Sequence, residues 1–281
     1  MRYTFNQFDK GPILVLQMGK VGSKSVLAGL EARVTGRPVC HTHFLSRDRA
    51  NQTEKDRRKF FRTARHRYLT RQWLNQFLLR TYENHENDHT WKLITLTREP
   101  ISRNISAFFE NLFVVPSEND GEFEISSDYY KIEPTIVTVD DISTLTELFV
   151  NRARHDSPLR FFDREIKDIF GIDVLDSGFP IEKGYEIYSA GRVELLVLKL
   201  EKLKDIAGTA FLEFLDINDF CPISRNIGAE KVYAPLYDAF TKHVVIDSSY
   251  ADKLLDSDYM RTFYSTEEIA TARNKWLRSA T

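Results

Sequence analysis

Residues Ile13-Leu14-Val15-Leu16 form an unbroken apolar run, two of them β-branched, and this run with the glycine-rich turn after it constrains the fold more than any other stretch. Such a run suits a strand covered on both faces. The turn and the residues leaving it are Gln17-Met18-Gly19-Lys20-Val21-Gly22-Ser23-Lys24-Ser25-Val26. Gly19 and Gly22 admit positive φ and close backbone approach. Ser23 and Ser25 are good caps for a helix that carries Val26, Leu27 and Leu30 at helical spacing. Unpaired amides at that helix start, with Lys20 and Lys24 beside them, make an anion site suited to a phosphate. An ordinary βα turn with two surface lysines is the competing reading. The nucleoside-triphosphate loop is not matched, because it needs Gly directly before the Lys and Ser or Thr directly after it. Here Ser23 precedes Lys24, and the lysine nearest the strand is Lys20.

The chain has 281 residues, and its 42% apolar and 12% aromatic content supports a substantial core. A formal net charge of −2 gives no global signal for nucleic acid, so any anion recognition must be local. Two cysteines, Cys40 and Cys221, make no disulfide framework and suit a reducing compartment. The first ten residues lack an apolar signal core, and no stretch reaches the length of a membrane span. A soluble cytoplasmic protein without integral membrane association is expected.

Strand and helix patterns alternate along the chain. Arg37 to Phe44 reads as a second strand ending in His41-Thr42-His43. If it runs parallel to the first, the histidines share a sheet edge with the Gly19–Ser25 turn, and strand carboxyl ends carry ligand chemistry in open α/β sheets. Residues 53–83 read as a long helix. Eight Lys/Arg and one Asp fall between residues 55 and 71. That face is either solvated or a surface for an anionic polymer. Asn84-His85-Glu86-Asn87-Asp88-His89 contains His-Glu-x-x-His, but it is wholly polar and abuts a strand, so a solvated loop is expected rather than a metal site. Trp91 to Thr97 is the third strand. It leads into Arg98-Glu99-Pro100 and a helix from about Pro100 to Phe113, with proline suited to the first turn. Residues 114–140 read as an insertion or lid. Helices are expected at 141–152, 157–170, 202–216, 229–241, 248–257 and 266–277. Tyr185–Tyr188, a turn at Ser189–Arg192, and Val193–Leu200 read as a hairpin entering a core strand. No linker stands out, so the expectation is a single domain over 1–281, three-layer α/β, with a central, mainly parallel sheet flanked by helices.

Two segments carry a family resemblance when read together: Lys20-Val21-Gly22-Ser23-Lys24-Ser25 after the first strand, and Arg98-Glu99-Pro100-Ile101-Ser102-Arg103-Asn104-Ile105-Ser106-Ala107-Phe108 after the third. The pair resembles the sulfotransferase family, whose donor is 3′-phosphoadenylyl sulfate (PAPS). In that family the first loop wraps the 5′-phosphosulfate. The second has the form Arg-Asp/Glu-Pro-x-x-Arg-x-x-Ser-x-aromatic, and its Arg and Ser bind the 3′-phosphate. Every fixed position of the second pattern is present here. The resemblance therefore implies a P-loop-like sulfotransferase fold, with donor contacts from Lys20, Val21, Gly22, Ser23, Lys24 and Ser25 and from Arg98 and Ser106. The two phosphate sites also make physical sense, since Arg supplies a planar donor fork suited to phosphate oxygens. His41-Thr42-His43 resembles the His-x-His of some glycan sulfotransferases, where a histidine is the base.

Resemblance is weaker later in the chain. Leu196 to Leu203 resembles the family's late core strand, and Asn226 to Tyr233 its late loop, from which Arg225 and Lys231 would approach the donor. Asn274-Lys275-Trp276 resembles a terminal Asn-Lys-Trp-Tyr-Ser motif of bacterial capsular polysaccharide synthesis proteins, although Leu277 and Arg278 replace the last two residues.

The implied reaction is in-line transfer of a sulfuryl group from PAPS to a carbohydrate hydroxyl, leaving adenosine 3′,5′-bisphosphate. His43 would be the base, with His41 assisting, and Lys20 would stabilise the departing phosphate. No metal and no nucleic-acid partner is implied, and the acceptor is a carbohydrate, anionic if the basic segment holds it. A nucleotide-dependent small-molecule or sugar kinase and a non-catalytic glycan or nucleotide binder of polysaccharide assembly are the alternatives. The acceptor position and the oligomeric state are not encoded in these motifs.

Overall fold

The computed structural model describes residues 11–46, 65–84, 89–153, 155–223 and 231–277, with residues 65–72 described by their backbone. In chain order the elements begin with β1 (Ile13–Leu16), α1 (Ser23–Arg33), β2 (Val39–Thr42), α2 (Arg65–Glu83), β3 (Trp91–Thr97) and α3 (Pro100–Glu110). Next come β4 (Phe113–Pro116), β5 (Glu122–Ser127), β6 (Ile132–Thr138), α4 (Ile142–Arg152) and α5 (Ser157–Phe161). A π-helical turn (Phe162–Lys167) and the short α6 (Asp168–Phe170) and α7 (Val174–Ser177) lead to β7 (Tyr185–Ala190) and β8 (Val193–Lys199). The chain closes with α8 (Leu203–Leu215), α9 (Ala234–His243), α10 (Ser248–Leu255), α11 (Asp258–Phe263) and α12 (Thr266–Trp276). Two compact units result: Met1–Thr97 with Arg160–Arg225, and Arg98–Leu159 with Asn226–Thr281.

The first unit is built on a five-stranded sheet of order β2-β1-β3-β8-β7. β2, β1, β3 and β8 are parallel, and β7 closes one edge as the antiparallel arm of a hairpin with β8. The apolar runs explain the centre of the sheet: Leu14, Val15, Leu93, Ile94, Leu195 and Leu196 are all fully buried, as strands covered on both faces require. α8 lies on the face of Lys92, whose ammonium donates to the Phe214 carbonyl at 3.1 Å and pairs with Glu194. α2 covers the other face: Thr42, one position from His41 and so on the opposite side of the pleat, donates its hydroxyl to Asn75 Oδ1 at 2.6 Å. The sheet is thus mixed but mainly parallel, and flanked by helices.

The second unit holds a three-stranded antiparallel meander, β4-β5-β6, and helices. The meander occupies the segment read from sequence as an insertion or lid. Its core gathers Phe108, Phe109, Phe149 and Phe240, with Phe109–Phe240 and Phe149–Phe240 ring centroids 5.5 and 5.8 Å apart.

Several sequence expectations need correction. α3 ends at Glu110 rather than Phe113, because Asn111 caps it and Phe113 enters β4. Neither Ser23 nor Ser25 caps α1. The N-cap is Gly22, in the left-handed region at φ 85°, and no side chain caps the helix. Gly22 delivers the chain to the helix with Ser23 already in its first turn. Helix α9 starts at Ala234, and α11 has no counterpart among the helices expected from sequence. The start of the long basic helix, the middle of the His-Glu-x-x-His segment and Arg225 lie outside the described residues.

Candidate functional site

The site is assembled at the carboxyl edge of the parallel sheet in the first unit. In the β1–β2 register Val15 stands opposite His41 and Leu16 opposite Thr42, and the Gln17 amide donates to the Thr42 carbonyl at 3.2 Å. The parallel pairing therefore delivers His41, His43 and the Gly19–Ser25 turn to one edge, as the spacing of the two strands predicts.

Gly19 is at φ 79° and Lys20 at φ 63°, so two successive residues adopt the left-handed conformation ahead of Gly22. For lysine this is a costly backbone state, on the order of 1 kcal/mol or more. Val21 is fully buried and fixes the loop between these turns. At Gly22 an added Cβ would stand 2.6 Å from Leu200 Cδ1, so the turn is pressed against the start of the segment after β8. At Gly19 a Cβ would meet His43 Cε1 and Nδ1 at 3.6 Å, so the imidazole lies against the glycine turn. Ser23 is buried, while Lys20, Lys24 and Ser25 retain exposure.

Gln17 organises both histidines. Its backbone carbonyl lies 3.1 Å from His43 Nδ1. A carbonyl only accepts, so Nδ1 carries the proton and the neutral ring has its lone pair on Nε2. The Gln17 side-chain Nε2 lies 3.1 Å from His41 Nε2 and donates to it. The two rings meet edge to face with centroids 4.8 Å apart. Gln17 itself is fully buried, and its Oε1 has no hydrogen-bond partner in the protein. Thr97 Oγ1, buried at the carboxyl end of β3, is in the same condition. Lys199, fully buried, ends β8 opposite Thr97.

The loop leaving the histidines is clamped from below. Glu165, fully buried on the π-helical turn, accepts from Leu45 N at 2.7 Å, Ser46 N at 2.9 Å and Ser46 Oγ at 2.6 Å. Neither Gln17 nor Glu165 is among the residues found from sequence. Gln17 left a signal, as the first polar residue after the apolar run. Glu165 left none, since it looks like one more charge on an amphipathic helix. Cys40 is buried mid-strand in β2, and burial pushes its thiol up to about 12, which keeps it unreactive.

Arg98 and Ser106 belong to the second unit. The Tyr259 hydroxyl holds the Arg98 backbone at both ends, lying 3.0 Å from its N–H and 3.0 Å from its carbonyl. Glu99 caps α3 by accepting from Ile101 N at 2.7 Å and Ser102 N at 2.8 Å, with Pro100 in the first turn. Arg103 is buried and donates to Asn104 Oδ1 at 3.0 Å. Ser106 is half-buried on α3, one turn before Glu110. Glu110 in turn accepts from Tyr233 Oη at 2.9 Å and lies 3.7 Å from Lys231 Nζ. Lys231 is thus held one turn from Ser106 by an ion pair with α3.

Among the described residues no group of three or more His, Cys, Asp or Glu side chains is arranged to hold a metal ion, and no helix is long and apolar enough to cross a membrane.

Fold and site together define an α/β protein with a glycine turn and a histidine pair at the carboxyl edge of a mainly parallel sheet. The family model NKWYS, described as "Putative capsular polysaccharide synthesis protein", matches residues 135–265, just under half of the chain. No curated protein and no solved structure matches it. The matched segment runs from within β6 to the residue before α12. It contains Arg225 and Lys231 but none of Lys20, His41, His43, Arg98 or Ser106.

Proposed function

We propose that the chain transfers a sulfuryl group from PAPS to a hydroxyl of a carbohydrate acceptor, in a P-loop-like sulfotransferase fold, and serves capsular or exopolysaccharide synthesis. One observation carries the reading: His43 lies against the Gly19–Ser25 turn with its Nδ1 committed to the Gln17 carbonyl. Deprotonating an acceptor next to a phosphosulfate requires a base oriented beside an anion-binding turn. The residues suit that donor. The turn offers helix-start amides that no side chain caps and a lysine held in a strained conformation. Carbohydrate as the acceptor class draws on the polysaccharide synthesis family that the chain matches.

When bound, the donor supplies a sulfuryl group joined to phosphate through a bridging oxygen. Lys20 and the amides of Gly22, Ser23 and Lys24 hold its phosphate oxygens and stabilise the charge that gathers there; the Ser25 amide is taken by the Gly22 carbonyl at 3.1 Å. Removing one such preorganised donor costs about 2.7–4 kcal/mol of transition-state stabilisation in a well-studied hydrolase. His43 Nε2 takes the acceptor's hydroxyl proton as the new O–S bond forms and the bridging O–S bond breaks, its electron pair leaving on the bisphosphate. His41 acts as the assistant within ring contact of His43. Arg98 and Ser106 are assigned to the 3′-phosphate, with Arg225 and Lys231 in support.

Incubation with PAPS and candidate glycans should give sulfated product and adenosine 3′,5′-bisphosphate. Full activity in Lys20→Ala or His43→Ala would overturn the role assignments. Failure of the protein to bind adenosine 3′,5′-bisphosphate would overturn the reading itself.

A further inference from the structure

We propose that the chain associates with a second copy of itself, the outward stripe of α2 in one copy docking on the outer face of the β4-β5-β6 meander in the other. One side of α2 is committed to its own unit, where Leu74, Asn75, Leu78 and Leu79 are buried. Trp73, Gln76, Phe77 and Arg80 stand at i, i+3, i+4 and i+7, a spacing that lines them up on the other side. Trp73 is 51% exposed and stacks on Phe77 with ring centroids 5.3 Å apart. Arg80 is exposed at the end of the stripe, and no Asp or Glu falls between residues 65 and 82.

The meander presents the matching surface. Its inner face buries Val114, Ile125 and Val137. On the outer face Val115 stands opposite Glu124 and Glu124 opposite Ile136, with Phe113 opposite Ser126 beside this row. Phe113 is 66% and Ile136 52% exposed. Strand addition at the edges is disfavoured, since β4 ends in Pro116 and β6 contains Pro134. The outer face remains for docking, and three strands about 4.8 Å apart make it roughly as wide as one helix.

Charge decides the occupant. Residues 113–140 hold seven Asp/Glu and one Lys. Glu124 sits at the centre of the apolar row. Neither its carboxylate nor the Arg80 guanidinium has a hydrogen bond or ion pair among the described residues. Packing the meander on its own copy would oppose two such carboxylates, and packing α2 on its own copy would oppose two stretches that lack any acidic residue. Packing α2 against the meander instead joins opposite charges and two exposed apolar stripes, with Trp and Arg as the anchors that interfaces favour. Neither stripe contains a residue assigned above to donor or acceptor, so association and sulfuryl transfer are separable. A contact of this size should be weak, in the micromolar range, and sensitive to salt.

Sedimentation velocity on the full chain, from low micromolar to near-millimolar concentration, should show a mass above that of one chain that grows with concentration and falls as salt rises. Of the three tryptophans, Trp91 and Trp276 are 2% and 1% exposed, so a blue shift of the emission on association reports burial of Trp73. Arg80→Glu and Glu124→Arg should each weaken association about tenfold. Mixing the two variants in equal amounts should restore it, because Glu at position 80 of one then meets Arg at position 124 of the other; a variant that had merely misfolded would give no such rescue. Trp73→Ala and Phe113→Ser should each abolish association with the circular dichroism of the chain unchanged. A chain that stays monomeric throughout, an association that both charge variants leave intact, a mixture that does not restore it, or an emission that does not shift would overturn the proposal. A monomeric chain whose Trp73 emission responds to a single-stranded DNA oligonucleotide would give the α2 stripe to nucleic acid and overturn it equally.

Discussion

Trp276 donates its indole N–H to Glu99 Oε2 at 3.1 Å, joining residues 177 positions apart. The same carboxylate caps α3 through Ile101 N and Ser102 N. Two sequence motifs that look unrelated, Arg98-Glu99-Pro100 and Asn274-Lys275-Trp276, are therefore one structural device. The terminal tryptophan, 1% exposed, supports the carboxylate that starts the helix carrying Ser106.

That device should be measurable as coupling. Glu99→Ala removes a cap worth about 1 kcal/mol and leaves a buried indole N–H unpaired. Trp276→Phe removes the same bond from the other end. In a double-mutant cycle by urea denaturation, the two should couple by about 1–2 kcal/mol. Strict additivity would show that the contact contributes nothing to stability.

Lys20 gives a sharper test because its conformation and its proposed role oppose one another. At φ 63° a side chain is strained and glycine is not. Lys20→Gly relieves about 1–2 kcal/mol of backbone strain against about 0.5–1 kcal/mol of added chain entropy, so the denaturation midpoint should hold or rise slightly. Sulfuryl transfer by the same protein should fall by two orders of magnitude or more. A variant that lost stability together with activity would mean that Lys20 serves the fold and not the reaction.

Glu165 acts at one remove, by holding Leu45 and Ser46 just beyond His43. Glu165→Gln keeps one oxygen for the Leu45 and Ser46 N–H groups and sets an amide NH2 against the Ser46 hydroxyl, but it removes the charge that strengthens all three bonds, at a cost of about 1–2 kcal/mol in stability. If the clamp positions His43, the catalytic turnover should fall about tenfold or more while bisphosphate affinity stays within twofold. An equal loss in both would make Glu165 a general support of the unit.

The sheet was legible in the sequence because its strands announce themselves. Ile13–Leu16, and the apolar stretches within Trp91–Thr97 and Val193–Lys199, are short and rich in β-branched residues and leucine, as strands covered on both faces are. The position of the histidines followed from the same logic, since one parallel register fixes both edges. The meander β4–β6 was not legible, because its strands are half-exposed, β4 and β6 carry a proline, and neither of those two alternates cleanly. The cap of α1 misled for a different reason. Serine is the better cap by propensity, but a left-handed Gly22 makes the turn that the crowded contact with Leu200 demands. Within the site, charge and motif pointed to Lys20, His41 and His43. Gln17 and Glu165 act through tertiary contacts, and a single sequence does not display those.

The second unit also holds a titrating pair. His155 Nε2 lies 2.9 Å from the Phe149 carbonyl and 3.3 Å from that of Val150, so it carries the proton. Nδ1 then accepts from Tyr250 Oη at 2.7 Å, and Asn104 Nδ2 donates to the His155 carbonyl and the Tyr250 hydroxyl. Both ring nitrogens are thus satisfied in the neutral form. Burial holds the His155 pKa below its ordinary value; the two carbonyl bonds oppose this, and the charges of Lys253 and Arg103 add to it. The folded state consequently binds fewer protons than the unfolded chain between the depressed value and about 6.5. Stability should be complete above about pH 6.5 and decline as the pH falls through that window. Asp141 and Asp247, whose pKa values are also lowered, lose their contribution only near and below the ordinary carboxylate value of 3.8, so they do not mask the effect. Urea midpoints should drop between pH 7.5 and pH 5, and His155→Gln should flatten that slope. A wild-type midpoint that stayed level or rose on acidification would show that the imidazole accepts its second proton without cost to the fold.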